Sequence, residues 1–330
     1  MTKIYSHPLV SIGMPILNGE HFLRQALDSL LAQDYEHFEI YISDNASTDH
    51  TGDICQEYVM RDKRIRYTRN TSNMGAVANF NTVFNMTSGP YFLWATDHDL
   101  WEPNLISRCM AVLEKEPEVV LAYPQTRFID LEGKIISEII PEQIDTRRIP
   151  ALHRYKCLLW NLAMCTMIYG LFRRSALVRT AKFQNILWPD YLLMAELALI
   201  GTFAQCDEKL FYLRRTNADE WEDEDIHIRR CLTRLDPASA EQKYAKSANY
   251  LYRELRNAHL QALVSAPLSV RDKLDAARET IMCFKKRFGV QTRFSHMPGA
   301  IKRLLIPCRY FNTVDVAYAD KIVPARSEKN

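Results

Sequence analysis

The segment Tyr91-Phe92-Leu93-Trp94-Ala95-Thr96-Asp97-His98-Asp99 passes from a short apolar and aromatic run directly into acidic residues. Residues 91–96 have the length and residue types of a buried strand. In extended chain, residues two apart face the same side, so Asp97 and Asp99 are expected to project together from the strand's carboxyl end while His98 points elsewhere. Ligands of open α/β sheets bind at that end. Two carboxylates there suit a hard divalent cation such as Mg2+ or Mn2+, which can hold diphosphate oxygens. A lone D-x-D also arises by chance in solvated loops, so its meaning depends on the surrounding chain.

Working outward, short β-branched or aromatic runs alternate with amphipathic stretches. Residues 9–14, 38–43 and 65–68 read as strands, and 22–33, 51–61 and 76–86 as helices. Another helix follows Pro103, where a proline in the first turn removes no needed donor, and residues 119–123 read as a fifth strand. Such βα repeats predict an α/β fold with a mostly parallel central sheet flanked by helices. Beyond residue 125 the alternation loosens. A turn centred on Gly133 between 128–131 and 134–140 predicts a hairpin. Residues 166–173 suggest a strand, 191–199 a helix and 209–214 a last strand. Past the acidic stretch 219–225, residues 238–263 and 270–288 have helical periodicity, punctuated by Pro237 and Pro267. The expected organisation is therefore a sheet domain over 1–225, with halves of about 1–125 and 126–225, and a C-terminal α-helical region over 226–330.

The 330 residues fit two domains or one large one at roughly 150 residues each. Forty-two basic and 40 acidic side chains leave a formal charge of +2, so no global field draws the chain to nucleic acid. The eight cysteines are scattered without a C-x-x-C pair, which argues against structural zinc and for a reducing compartment. No basic start followed by an apolar run opens the chain, so no signal peptide is expected. The uncharged stretch 157–172 is shorter than the roughly 20 residues of a spanning helix and reads as buried core. The sequons at Asn45, Asn70 and Asn85 read as chance, and the expected location is cytoplasmic.

Two further polar clusters follow predicted strands. In Ser43-Asp44-Asn45-Ala46-Ser47-Thr48-Asp49, Thr48 or Asp49 has the chemistry of a helix cap. Asp44, at the strand's edge, reads equally as a cap and as an acceptor for a ring N–H or ribose hydroxyl. Pro15-Ile16-Leu17-Asn18-Gly19-Glu20 contains neither G-x-G-x-x-G nor G-x-x-x-x-G-K-[ST], which disfavours a dinucleotide oxidoreductase or a P-loop NTPase.

Taken together, these clusters resemble the family 2 inverting glycosyltransferases of the GT-A fold. The resemblance lies in Val10-Ser11-Ile12-Gly13-Met14-Pro15 with Asn18, Gln33 with Phe38-Glu39-Ile40, Asp44 to Asp49, Asn73-Met74-Gly75 with Asn79, and Asp97-His98-Asp99. Order and spacing match over about residues 8–130. A weaker match continues to about 215 through Gly170 to Ser175 and Asp190-Tyr191-Leu192-Leu193 with Gly201. The resemblance implies a Rossmann-like GT-A sheet and a nucleoside pocket lined by Pro15, Asn18, Glu20 and Asp44, with Asn73 and Gly75 nearby. It implies Asp97 at the ribose or the metal shell, and Asp99 as ligand of a Mg2+ or Mn2+ ion on the diphosphate. Asp190 is the implied general base, although the family's Glu-Asp pair reads Pro189-Asp190 here. Its plain reading is a first-turn carboxylate favoured by the helix dipole, and Glu196 is kept as an alternative base. The family's late His ligand is missing near Leu213-Arg214-Arg215-Thr216-Asn217, so Arg214 and Arg215 are candidates for charge at the diphosphate.

The resemblance thus implies metal-dependent, inverting transfer from a UDP-, GDP- or dTDP-linked sugar to a hydroxyl of a glycan or lipid-linked acceptor, by family analogy in surface polysaccharide synthesis. The alternatives are a nucleotide-sugar-binding module without transfer and a structural protein whose acidic loops are only caps. Trp94 reads as core and Trp101 as a sugar contact. Trp221 suggests an acceptor loop. The basic, apolar stretch over about 270–310 suggests peripheral contact with the inner face of a membrane, or only a helical subdomain with a basic outer face.

Overall fold

The computed structural model describes residues 7–137, 143–215 and 224–290. The first half lays down β1 (Val10–Ile16), α1 (Leu23–Leu31), β2 (Phe38–Asp44), α2 (Thr51–Arg61), β3 (Ile65–Arg69), α3 (Ala76–Asn85) and β4 (Tyr91–Trp94). These strands lie in the order β3-β2-β1-β4, all parallel, with Val10 opposite Phe38 and Tyr91, and Ile40 opposite Ile65. Six of the seven residues of β1 are fully buried, as expected of a parallel strand with both faces covered. In α1 the buried Leu23, Ala26, Leu27 and Leu30 recur at helical spacing and give it one core-facing stripe.

The chain continues through β5 (Leu100–Trp101), α4 (Leu105–Lys115), β6 (Val119–Ile129), β7 (Ile135–Ser137), α5 (Ala151–Asn161), a 3-10 turn (Thr166–Tyr169), β8 (Leu171–Arg173), α6 (Arg174–Leu177), α7 (Pro189–Ile200) and β9 (Thr202–Arg214). Here the sheet becomes mixed. β8 is antiparallel to both β4 and β6, β9 is parallel to β6, and β5 is antiparallel to β9. The expected α/β architecture is present, with the parallel half carrying the residues of the three polar clusters.

Several boundaries differ from expectation. The fifth strand runs on to Ile129 and takes in the first part of the expected hairpin, whose return strand is β7. The last strand begins at Thr202, because β6 and β9 pair along almost their whole length, across three register irregularities. The first four of residues 166–173 form a 3-10 turn, entered through Cys165 with φ 55°, which leaves three residues for β8. Such long-range pairing leaves no local period to read.

Beyond residue 223 come α8 (Glu224–Leu235), α9 (Ala240–Tyr244), α10 (Ala248–Ser265) and α11 (Val270–Phe288). The helix expected over 238–263 is two, because Ser247 is extended (φ −56°, ψ 151°). These helices share an apolar cluster with α5 and one side of α7, through Tyr155, Leu192, Ala195, Leu255, Ala277 and Phe284. The other side of α7, Leu193, Met194, Leu197 and Ala198, packs with β4, β6 and β8. α7 is thus enclosed between two cores. Trp94 is fully buried among Phe92, Phe172 and Phe183, as expected of core. Trp101 is not the expected sugar contact: it is 3% exposed and lies against Phe211. Among the described residues no helix is long and apolar enough to cross a membrane. Trp221, and the basic stretch from 291 onward, lie outside the described residues.

Candidate active site

In the strand order β3-β2-β1-β4, β1 connects outward to β2 while β4 lies on its other side. The crevice outside the carboxyl ends of β1 and β4 is therefore the topological switch point, where open α/β sheets bind ligands. Pro15 sits in β1 beyond the end of its pairing with β4, which stops at Gly13–Trp94, so its missing N–H breaks no bond to that strand.

The β1–α1 loop is stitched to the β2–α2 loop by side chains. Asn18, with φ 54°, donates its N–H to Ser47 Oγ at 2.9 Å and accepts Thr48 N–H at 2.8 Å on Oδ1. Gly19 N–H donates to Thr51 Oγ1 at 2.8 Å, and Glu20 Oε2 accepts His50 N–H at 3.0 Å. Burial pushes the Asp49 carboxyl up, but bonds from Thr51 and the Glu20 N–H hold it below the usual range overall. An amide network extends this wall: Asn73 Oδ1 accepts from Asn45 Nδ2 at 2.8 Å and from Gly75 N–H at 2.9 Å, and Asn45 Oδ1 accepts Met74 N–H at 2.9 Å. Burial of Asn45 at 2% exposure fits the reading of its sequon as chance.

Two of the expected pocket residues are placed differently. Asp44 is fully buried. Ser47 N–H donates to its Oδ1 at 2.8 Å and the Tyr67 hydroxyl to its Oδ2 at 2.8 Å, with Arg69 Nε 3.9 Å away. It anchors the wall from behind and offers no open carboxylate. Gly75 is buried at φ 83°, and a Cβ there would lie 2.8 Å from Asp236 Cα and closer still to the Leu235 carbonyl. The end of α8 covers it.

The acidic motif stands opposite. Asp97 closes on Gly19, where a Cβ would fall 2.9 Å from Asp97 Cγ. Its Oδ1 is 2.6 Å from His98 Nδ1, and 15% of its side chain is exposed. Asp99 is 1% exposed. Thr96 Oγ1 donates to its Oδ2 at 2.6 Å and Arg214 N–H to its Oδ1 at 2.8 Å. Burial pushes its carboxyl up, opposed by His98, Thr96 and Arg214. Asp97 is the more open carboxylate of the pair, and Asp99 lies deeper.

Arg214, expected near a diphosphate, is itself buried at 1% exposure. Its guanidinium donates to the carbonyls of His98, Asp130 and Leu131 and to Gln25 Oε1, all at 2.8–2.9 Å, and lies over the Phe22 ring. Desolvation lowers its pKa, opposed by Asp99, Asp130 and Glu132. Arg214 ties the acidic motif to α1 and the β6–β7 turn, leaving Arg215, partly exposed beside Phe128, as the cation of that pair still open to the surface.

Asp190 occupies the first turn of α7, after Pro189 and a left-handed Trp188 (φ 50°), where the helix dipole favours a carboxylate. Trp188 is gripped by Tyr191, Tyr252 and Phe288 at 5.4–5.6 Å. Tyr169 brings the two halves together. Its hydroxyl is held well above the ordinary range by burial and by the charges of Asp99, Asp190 and Asp97. The charges of all three acids thus reach this one phenol, which lies against Phe211. No sequence motif marks Tyr169, and the buried role of Arg214 had no local signal. Glu196 does not join them: it accepts Ala181 N–H at 3.0 Å, and burial pushes its carboxyl up to about 7.

A cation would fit this donor set in one manner. Mg2+ and Mn2+ are commonly held by one or two carboxylates with substrate phosphates and water completing the shell. Asp97 is open, and each Asp99 oxygen retains acceptor capacity after its one bond. Among the described residues no group of three or more His, Cys, Asp and Glu forms an all-protein cage.

Comparison with known proteins finds similarity to one family of glycosyltransferases. Residues 11–180 match the family model "Glycosyl transferase family 2". An uncharacterized glycosyltransferase of Rickettsia typhi is 32% identical over 177 residues, 51% of this chain and 54% of that protein. WcaA of Escherichia coli K12, a glycosyl transferase named for colanic acid biosynthesis, is 33% identical over 135 residues, 40% and 47% of the two chains. The chain spans about half the length of the curated relatives it matches. Staphylococcus aureus TarS 1–349 in complex with UDP-GlcNAc superposes with TM-score 0.60 at 17% identity, covering 84% of this chain and 73% of that one. The Pyrobaculum calidifontis mannosyltransferase PcManGT with GDP-Man and Mn2+ gives 0.50 at 14% identity, covering 91% and 79%. At those identities the likeness is one of fold.

Proposed function

The chain belongs to glycosyl transferase family 2, and from that premise we propose that it moves a sugar from a nucleotide-diphosphate donor to a hydroxyl of a glycan or lipid-linked acceptor, with inversion at the anomeric carbon. The observation that carries this reading is the placing of Asp97 against Gly19, with Asp99 beside it, outside the carboxyl ends of β1 and β4 at the switch point of the sheet. The nucleoside would lie along the wall of Pro15, Asn18, Glu20 and Asn73, held firm by Asp44 from behind. Asp97 would face the ribose or a Mg2+ or Mn2+ ion, which Asp99 would also hold. Such an ion, when bound, neutralises charge on the departing diphosphate. Asp190 would accept the proton of the acceptor hydroxyl, in a first turn kept in place by the packing of Trp188. The PcManGT complex holds GDP-Man and Mn2+ and the TarS complex UDP-GlcNAc, which supports a nucleotide sugar as donor class and a divalent ion as its companion. WcaA's name supports polysaccharide synthesis as the setting.

Asp190→Asn tests the assignment of the base. Removing a general base lowers turnover by about 100- to 10,000-fold, so sugar transfer or donor hydrolysis should fall by that factor while nucleoside diphosphate binding stays within about twofold. Normal turnover in the variant would show that Asp190 is not the base.

A further inference from the structure

In extended chain His98 would face away from its acidic neighbours, yet the backbone bends at Asp97 and His98. The bend is closed from both ends: Asp99 N–H donates to Thr96 Oγ1 at 3.2 Å, and the Thr96 hydroxyl donates to Asp99 Oδ2 at 2.6 Å. Buried Arg214 fixes its far side, donating from Nε to the His98 carbonyl at 2.8 Å. The two central side chains are thereby turned onto each other, and His98 Nδ1 comes 2.6 Å from Asp97 Oδ1. An ionised carboxylate only accepts, so the ring carries a proton on Nδ1 and donates from it.

The two oxygens of Asp97 thus face different groups. Oδ1 rests on the imidazole, and Oδ2 is the atom that a Cβ at Gly19 would meet first. The plane of the carboxylate is set between the His98 ring and the β1–α1 loop. Asp99 is held otherwise, in the interior, by Thr96 and the Arg214 N–H. The His98 and Asp97 side chains are 40% and 15% exposed, and an ion pair as open as this adds little to stability. What it does restrict is the rotation of Asp97.

We propose that His98 is a positioning residue, holding the Asp97 carboxylate so that it meets a Mg2+ or Mn2+ ion on the donor diphosphate already aligned. A side chain that hydrogen-bonds a metal-ligating group tunes affinity without touching the ion, whereas a carboxylate free to rotate must be ordered when the ion arrives. The proposal rests on the transferase reading above and adds to it the means by which Asp97 is oriented.

Asparagine places an amide N–H where Nδ1 stands, and glutamine where Nε2 stands. His98→Ala, His98→Asn and His98→Gln are therefore compared in the full chain by calorimetric titration of UDP and GDP, with and without Mn2+. The gain in nucleotide affinity that Mn2+ confers should fall by about tenfold or more in His98→Ala and His98→Gln, and stay within about threefold of the wild type in His98→Asn. Affinity without Mn2+ and the melting curve should be unchanged in all three. An undiminished gain in His98→Ala would overturn the proposal. Loss of the gain in His98→Asn would also overturn it, and its retention in His98→Gln would do so by making Nε2 a direct ligand. An equal loss with and without Mn2+ would contradict it as well, by placing His98 at the nucleoside. The metal-free protein supplies a second readout. With the ring neutral, its imidazole nitrogen NMR spectrum should show the proton on Nδ1 and lose that preference in Asp97→Ala, and a proton on Nε2 in the wild type would contradict the pairing. Wild-type binding that Mn2+ does not strengthen would instead remove the ion from the transferase reading, and the proposal with it, whatever the NMR spectrum shows.

Discussion

Asp97 stands where it does because residue 19 has no side chain. A Cβ at Gly19 would meet that carboxylate, so Gly19→Ala should displace it and weaken nucleoside diphosphate binding by about tenfold, roughly 1.4 kcal/mol, with the melting temperature nearly unchanged. Calorimetry and thermal denaturation together check this. Gly75→Ala should do the opposite, since its left-handed backbone and the overlying end of α8 make the change a matter of strain: a loss of about 1–3 kcal/mol of stability, read from denaturant unfolding. The residues at the strand tips were legible in the sequence because short polar clusters after apolar runs mark carboxyl ends. Their orientation was not. Whether Asp44 and Asp99 face a ligand or the interior depends on Tyr67, Ser47 and Arg214, donors brought in by neighbouring strands and loops. Glu196 makes the same point about pH. Its folded carboxyl titrates near 7 against an ordinary value of 4.5, so below 4.5 its contribution is complete and it is lost as the pH rises through 7. Glu196→Gln should remove that decline between pH 5 and 8 and leave turnover intact. A loss of turnover would return Glu196 to the site.

At the scale of elements, the βα alternation through β4 was readable because each unit is local: a strand, a helix, and a polar tip between. β6 and β9 were only partly readable, since their length comes from pairing with each other across intervening helices. Arg214 ends β9 and closes the arrangement, holding the His98, Asp130 and Leu131 carbonyls in the interior. Arg214→Met should take the donor from those carbonyls, while Asp99 keeps its bond from the residue 214 N–H, and should destabilise by about 1–3 kcal/mol, measured by chemical denaturation. Arg214→Lys should restore little, because an ammonium cannot span the same set of acceptors. Unchanged stability in Arg214→Met would contradict the role assigned to this side chain.

For the molecule as a whole, the helices after residue 223 and the α5–α7 layer form one apolar cluster, and α7 joins that cluster to the core of the sheet. The sequence showed a change of periodicity near residue 225 but not this shared interior, because burial on both sides of α7 leaves no amphipathic signature to distinguish its two partners. The full chain should accordingly unfold in a single calorimetric transition, and two well-separated transitions would show that the sheet and helical parts are independent. The account as a whole depends on acidic side chains around the β1–β4 crevice binding a nucleoside diphosphate together with a divalent ion. The most direct test is calorimetric titration of UDP and GDP with and without Mn2+ into the wild type, Asp97→Asn and Asp99→Asn. The account predicts saturable binding of at least one nucleotide that strengthens with Mn2+ and loses that strengthening in both variants, whereas Mn2+-independent binding unaltered by either substitution would contradict it.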